Sequence, residues 1–332
     1  MKLELPVIDL HCDLLSYLAE APHPNPFDKE DIGCNLPALK AGNVKLQVMA
    51  VYTATEKGST ELGRKQINLF KEMPANYSDW ITNYQAEQLL ENSTSPKTQV
   101  LVAIENASGF CEEDEPLEAG FARLEEFISK SRQVLYIGLT HHGENRFAGG
   151  NATKVGLKPD GKILLDYLND KHIAIDFSHA SDALADDLLN YISMKNLRIP
   201  VLASHSNFRA VFNHARNLPD DVAKEIVKRK GIIGINFLRA FLNDKKEDAI
   251  FDQINYGIDL VGENALCFGA DYFYTAHHPD QSRRPFFYPA QADAACYPAI
   301  IEKLSEQISP AALKNIAFQN ALNFILRSLK QA

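Results

Sequence analysis

The chain has 332 residues, 45% of them hydrophobic, which suffices for a large core and fits either two ordinary domains or one large barrel. A formal net charge of −9, a pI near 5.6 and the lack of a Lys/Arg cluster argue against nucleic acid as a partner and point to a small molecule. Five scattered cysteines without a Cys-x-x-Cys pair suggest neither a disulfide framework nor a zinc ribbon, and no stretch approaches the ~18 apolar residues of a membrane span.

Residues 1–6 lack an apolar leader, so the expected setting is cytoplasmic, with no membrane association. The first strand is read at 7–10, running into His11-Cys12-Asp13. Side chains alternate along a strand, so His11 and Asp13 share a face and can hold one divalent ion together, while Cys12 takes the other face. Seven more apolar, β-branched runs follow at 44–52, 99–105, 133–140, 172–177, 199–203, 231–237 and 265–270. They are continuous rather than alternating, which fits parallel strands buried on both faces.

The longest interval, 53–98, holds at least two helical segments around Pro74. Leu117, Phe121, Leu124 and Ile128 recur at helical steps within 117–129. Ser181 and Asp220 cap helices over 181–194 and 220–230, Gly231 closing the second, and Ser309-Pro310 starts a last helix to about Leu329. The glycine-rich segment 145–161 is a loop placed to cover a site. Eight strand–helix units point to an α/β fold of the (β/α)8 TIM-barrel type, ahead of a doubly wound sheet, with 1–332 as a single domain ending in a helix.

Chemistry-bearing residues gather where the runs end: His11 and Asp13 after the first, Glu105 after the third, His141 after the fourth, His179 after the fifth, His205 after the sixth and Asp271 after the eighth. In a barrel those strand ends converge on one pocket, and this set describes a metal site.

The segments Asp9-Leu10-His11-Cys12-Asp13, Leu139-Thr140-His141 with Asn145, Asp176-Phe177-Ser178-His179, Ser204-His205-Ser206, 215–221, 231–237 and Gly269-Ala270-Asp271 together resemble the membrane (renal-type) dipeptidases and their bacterial relatives. These are zinc dipeptidases of the metallo-dependent, amidohydrolase-like barrel group, and the likeness runs from about Val7 to Phe324. The resemblance implies two Zn2+ per chain, the first on His11 and Asp13, the second on His179 and His205, with Glu105 bridging both. A carboxylate can span two ions about 3.5 to 4 Å apart, in keeping with that role. It further implies that a zinc-activated hydroxide attacks the amide of a dipeptide. Asp271 would be the catalytic acid/base, His141 the group that steadies the oxyanion, and Arg216 the clamp on the substrate's terminal carboxylate. A homodimer is compatible with this reading.

Three departures from the family pattern bear on pocket shape: Asn106 where glycine is usual, Tyr272-Phe273-Tyr274 where Phe-Asp-Gly is usual, and Leu238 where an aromatic often stands. His142 and His214 fall near the site without a role, and His277-His278 form a loop pair on the pocket side. Two other readings compete. Lactone, phosphotriester or deaminase chemistry on the same barrel typically uses His-x-His on the first strand and often a carbamylated lysine on the fourth, whereas this chain has His-x-Asp and no lysine in 133–141. A metal-containing binding protein without catalysis is the other, and the complete ligand set with Asp271 speaks against it.

Overall fold

In the computed structural model, which describes residues 5–91 and 95–329, all eight expected runs are strands of one parallel barrel. In chain order the strands are β1 (Val7–Cys12), β2 (Val44–Val51), β3 (Ile81–Asn83), β4 (Thr98–Ile104), β5 (Val134–Gly138), β6 (Ala174–Asp176), β7 (Val201–Leu202), β8 (Ile233–Ile235) and β9 (Leu266–Phe268). Their hydrogen-bonded order is β7-β6-β5-β4-β2-β1-β9-β8, and the two ends meet through a parallel bridge between Ala203 and Ile233. The additional strand β3 pairs with the start of β4, on the edge that β5 takes over from Val102 onward.

Both faces of β1, β2, β4 and β5 are buried, which explains why their sequences run apolar without alternation. Ile8, Leu10, Leu46, Val48, Leu101 and Ala103 pack with Phe318, Ala321, Leu322 and Ile325 of the C-terminal helix. The intervening Val7, Val44, Val100, Val102 and Ile104 pack with helix residues such as Ile67, Phe70, Leu124 and Phe127. Each of the Val, Leu, Ile and Phe side chains among these contributes about 1.5–3 kcal/mol through burial.

Ser309 caps the C-terminal helix by accepting from the Ala312 amide at 3.1 Å, and a π-helical stretch, Asn315–Gln319, precedes the last segment, Asn320–Ser328. Asn320 Nδ2 donates to the carbonyls of Glu263 and Leu266, both at 2.8 Å, which seats this helix at the start of β9. The N-terminal end of the barrel is thereby plugged, and the opposite end is left for chemistry. No helix among the described residues is long and apolar enough to cross a membrane.

Several local expectations are corrected. Pro74 does not divide two helices: it lies inside the last turn of one helix, Ser59–Asn76, where only the N–H that would reach Phe70 is lost. Asp220 is the first residue of its helix, Asp220–Lys228, and Pro219 occupies the cap position. Lys230, with φ 63°, makes the left-handed turn that Gly231 was expected to make. Gly231 is needed instead because a Cβ there would stand 2.4 Å from the Val201 carbonyl.

Gly234 and Gly269 serve a similar close approach, since a Cβ on either would come within 2.0 and 1.9 Å of the Ser204 carbonyl oxygen. Backbone cannot yield as a flexible side chain does, so Gly269→Ala is expected to lower stability by about 1–3 kcal/mol. Urea unfolding measures this, and a variant as stable as the wild type would show that the seam around Ser204 has room to spare.

Candidate active site

The sequence-identified residues leave neighbouring strands and meet at the C-terminal end of the barrel. His11 lies within β1, whereas Asp13 is past the strand as the residue preceding the helix Leu14–Glu20. The Glu105 amide follows β4 and donates to the Val51 carbonyl at 3.0 Å, and the Asp271 amide follows β9 and donates to the His11 carbonyl at 3.2 Å. His179 and Asp271 adopt left-handed backbone, φ 67° and 66°, in a region that costs a non-glycine residue about 1–3 kcal/mol.

Glu105 is central. Its Oε1 lies 3.0 Å from His179 Nε2, 3.5 Å from His205 Nε2 and 3.8 Å from His141 Nε2, while Oε2 lies 3.7 Å from His11 Nε2. His11 Nε2 is also 3.9 Å from Asp13 Oδ1 and 3.7 Å from Asp271 Oδ1. The expected five ligands and Asp271 are thus brought together, with all six buried.

Hydrogen bonds fix which ring nitrogens are available. Tyr136 Oη donates to the Leu10 carbonyl at 2.8 Å, so it accepts from His11 Nδ1 at 2.8 Å and leaves the lone pair on Nε2. That Nε2, and Asp13 Oδ1 beside it, are buried without a hydrogen-bond partner among the described residues. Asp271 Oδ2 accepts from Asn236 Nδ2 at 2.8 Å, which leaves Oδ1 toward His11.

Burial raises Asp13 and Glu105 well above the usual carboxylate range, and repulsion from Asp271 adds to it in both. Burial also pushes Asp271 up to about 7 against the pull of Arg216 and Asn236. The histidines move the other way: burial takes His11 down to about 3 and lowers His141, His179 and His205, with nearby positive charge, Arg216 included, adding to it. Neutral imidazoles among carboxyls that resist ionisation, with orphaned lone pairs between them, are a donor set that fits divalent cations.

His141 is partly exposed and packs edge-on to Tyr52, with ring centroids 4.8 Å apart. Arg216 is buried beside the cluster, giving Nη1–H to Ser206 Oγ at 2.9 Å and Nη2–H to the His205 carbonyl at 2.8 Å. His214 accepts the Arg216 amide on Nδ1 at 3.0 Å, and His142 Nδ1 pairs with Asn151 Oδ1 at 2.9 Å. The 145–161 loop does lie against the site, because Gly150 packs so close to His141 that a Cβ would stand 1.8 Å from its carbonyl. His277 packs on Tyr274, and His278 on Phe273 and Phe286. The supporting residues Tyr136, Asp176, Ser204 and Asn236 were not assigned from sequence. Asp176, Ser204 and Asn236 did lie in the segments that resemble the family, whereas Tyr136 carried no such signal.

Asp271 ionises near pH 4 in an unfolded chain and near 7 in the fold, so its contribution to stability is fully present below about pH 4 and is lost as pH rises through 7. In metal-free protein, Asp271→Asn is therefore expected to melt above the wild type at pH 8, with the gap narrowing as pH falls toward 4. Thermal unfolding over that range measures it. A gap that widens on acidification would contradict this electrostatic picture.

The family model described as membrane dipeptidase (peptidase family M19) matches residues 1–331. Dipeptidase aclJ of Aspergillus oryzae is 28% identical over 183 residues, which are 52% of this chain but only 40% of that protein. A metallopeptidase from Rhodobacter sphaeroides, solved with a phosphinate mimic of the dipeptide L-Ala-D-Ala, superposes with a TM-score of 0.82 at 18% identity, covering 98% of this chain and 99% of the other. The probable dipeptidase PvdM from Pseudomonas aeruginosa gives 0.79 at 16% identity, with 99% and 96% covered. These two likenesses support the barrel fold, and the match along almost the whole sequence shows that the chain belongs to the membrane dipeptidase family.

Proposed function

We propose that the chain is a metal-dependent dipeptidase that hydrolyses the amide bond of small dipeptides at a site for two zinc ions. The observation that carries this is the placement of Glu105, whose two oxygens face different partners: Oε2 toward His11, which neighbours Asp13, and Oε1 toward His179 and His205. A bridging carboxylate between two ligand pairs accounts for that division. When bound, two such ions supply Lewis acidity and make a water ionisable near neutral pH. Family membership supports a dipeptide as substrate. Five unpaired, buried cysteines support a reducing, cytoplasmic setting.

The protein's own groups complete the reaction. Asp271, with Oδ1 3.7 Å from His11 Nε2 and Oδ2 held by Asn236, takes the proton of the attacking water and returns it to the leaving amine as the C–N bond breaks. His141 is neutral at working pH and offers an N–H to the oxygen of the tetrahedral carbon. Arg216 holds the substrate's free carboxylate: its buried Nε has no hydrogen-bond partner among the described residues, and its two Nη groups are steadied by Ser206 and the His205 carbonyl.

Zinc-reconstituted protein is expected to turn over members of a dipeptide panel, and Asp271→Asn to lose about 100-fold or more in kcat with the metal retained. Near-normal turnover in that variant would move the base elsewhere, and a wholly inert panel would remove the dipeptidase reading. For Arg216 the test is a two-by-two comparison of kcat/KM. Arg216→Ala and C-terminal amidation of a good substrate should each be costly alone and add little together, because both break the same contact. Losses that simply multiply would show that the arginine and the carboxylate do not meet.

A further inference from the structure

The candidate metal histidines are supported in unlike ways. His11 Nδ1 gives its proton to Tyr136, which passes its own to the Leu10 carbonyl, so that chain is neutral throughout. His179 Nδ1 is buried with no hydrogen-bond partner among the described residues. His205 Nδ1 lies 2.6 Å from Ser204 Oγ, and Ser204 Oγ in turn donates to Asp176 Oδ2. We propose that Asp176, acting through Ser204, is a positioning residue that orients His205 and strengthens its hold on a metal ion, an inference that rests on the dinuclear reading above.

The argument is one of proton count. Ser204 has a single hydroxyl proton, and its donation to the carboxylate leaves Oγ able only to accept from His205 Nδ1. Nε2 must then carry the lone pair, and it faces the site, 3.0 Å from His179 Nε2 and 3.5 Å from Glu105 Oε1. Asp176 is itself immobilised, since Oδ1 accepts the amides of Ser178 at 2.9 Å and Ser204 at 2.8 Å. Ser178 Oγ accepts the His205 amide at 3.0 Å, so backbone and ring of His205 are both fixed. A carboxylate at the end of such a chain makes the imidazole a better electron donor, and removing a partner of this kind typically weakens metal affinity about 10–100-fold. The support is one-sided: the metal held by His179 and His205 gains a charge-assisted relay, and the one held by His11 has only a phenol.

The test is zinc titration of metal-free protein in competition with a chromogenic chelator, which resolves the two equivalents whether or not the protein is active. Asp176→Asn keeps a carbonyl oxygen for the two amides, and Ser204→Ala leaves both of those bonds untouched. Each is expected to weaken one equivalent by about 10–100-fold and spare the other. The double variant should be little worse than the weaker single, because one chain is broken twice, and Tyr136→Phe should weaken the opposite equivalent. Melting of the metal-free forms separates this from a structural role: affinity losses that fall on both equivalents alike and follow a lowered Tm would overturn the relay, as would two unchanged equivalents. Should Asp176→Asn fail to fold, Ser204→Ala decides the matter alone. Wild-type protein that takes up a single ion would instead overturn the dinuclear reading, and the relay would be judged on whether that ion's affinity responds to Ser204→Ala.

Discussion

Parallel strands that must release their side chains into a pocket run out of ladder hydrogen bonds where the pocket begins, and buried amides there need acceptors. In this barrel, Asp and Asn side chains supply them. At the β1–β9 seam, where Asp9 opposite Phe268 is the strand pairing, Asp9 Oδ1 accepts the amides of His11 at 2.9 Å and Ala270 at 3.3 Å. At the β6–β7 seam Asp176 does the same for Ser178 and Ser204. Asn207 and Asn236 exchange two bonds across the β7–β8 gap, just past the Ala203–Ile233 bridge and the Ser206 amide's bond to the Gly234 carbonyl. The stitches sit beside His11, His205 and Asp271, so closing the barrel and aiming the reactive groups are one act.

This arrangement concentrates charge. Asp9 and Asp176 lie behind the cluster, raised by burial yet held by several donors, while Asp13, Glu105 and Asp271 lie within it. The left-handed backbone at His179 and Asp271 adds local strain of a kind that survives only where surrounding structure over-determines it. Here the surroundings do so: the Asn151 amide donates to the His179 carbonyl at 2.8 Å, and Asn236 holds the Asp271 carboxylate. A divalent cation would relieve the repulsion that remains, which couples metal uptake to the stability of this end of the barrel.

The eight strands were legible because each is a continuous apolar run, and the proposed ligand set could be read because His, Asp and Glu recur just where those runs stop. Helix ends were less legible. Asp220 reads as a cap, but Pro219 already has the extended backbone that a cap requires, and the Asp220 carboxylate accepts from Tyr256 Oη at 2.6 Å. Pro74 reads as a breaker, yet near a C-terminus a proline removes one bond and leaves the helix intact. Tyr136 could not be foreseen as a partner of His11, because the two are 125 residues apart and only barrel closure brings β5 and β1 to bear on each other.

The departures from the family pattern acquire physical meaning at this level. Asn106, in place of a glycine, accepts from the Ser108 amide at 3.2 Å and Asn145 Nδ2 at 3.0 Å, and donates to the Thr53 carbonyl at 2.9 Å and Thr55 Oγ1 at 3.1 Å. Asn145 also reaches the Leu139 carbonyl at 2.6 Å, so the pair stitches the ends of β2, β4 and β5 as Asp9 and Asp176 stitch their own seams. Its side chain is spent on the wall behind Glu105, leaving the pocket no narrower on that account. Tyr272 is likewise turned into the wall, its hydroxyl on the Gln291 carbonyl at 3.1 Å and its ring against Phe237 and Phe287. Phe273 and Tyr274 remain, packed on Phe286 and on Tyr17 respectively. Of the residues that break the pattern, these two aromatics are the ones left with partly exposed surface, so a contact with anything outside the wall falls to them and not to the buried Asn106.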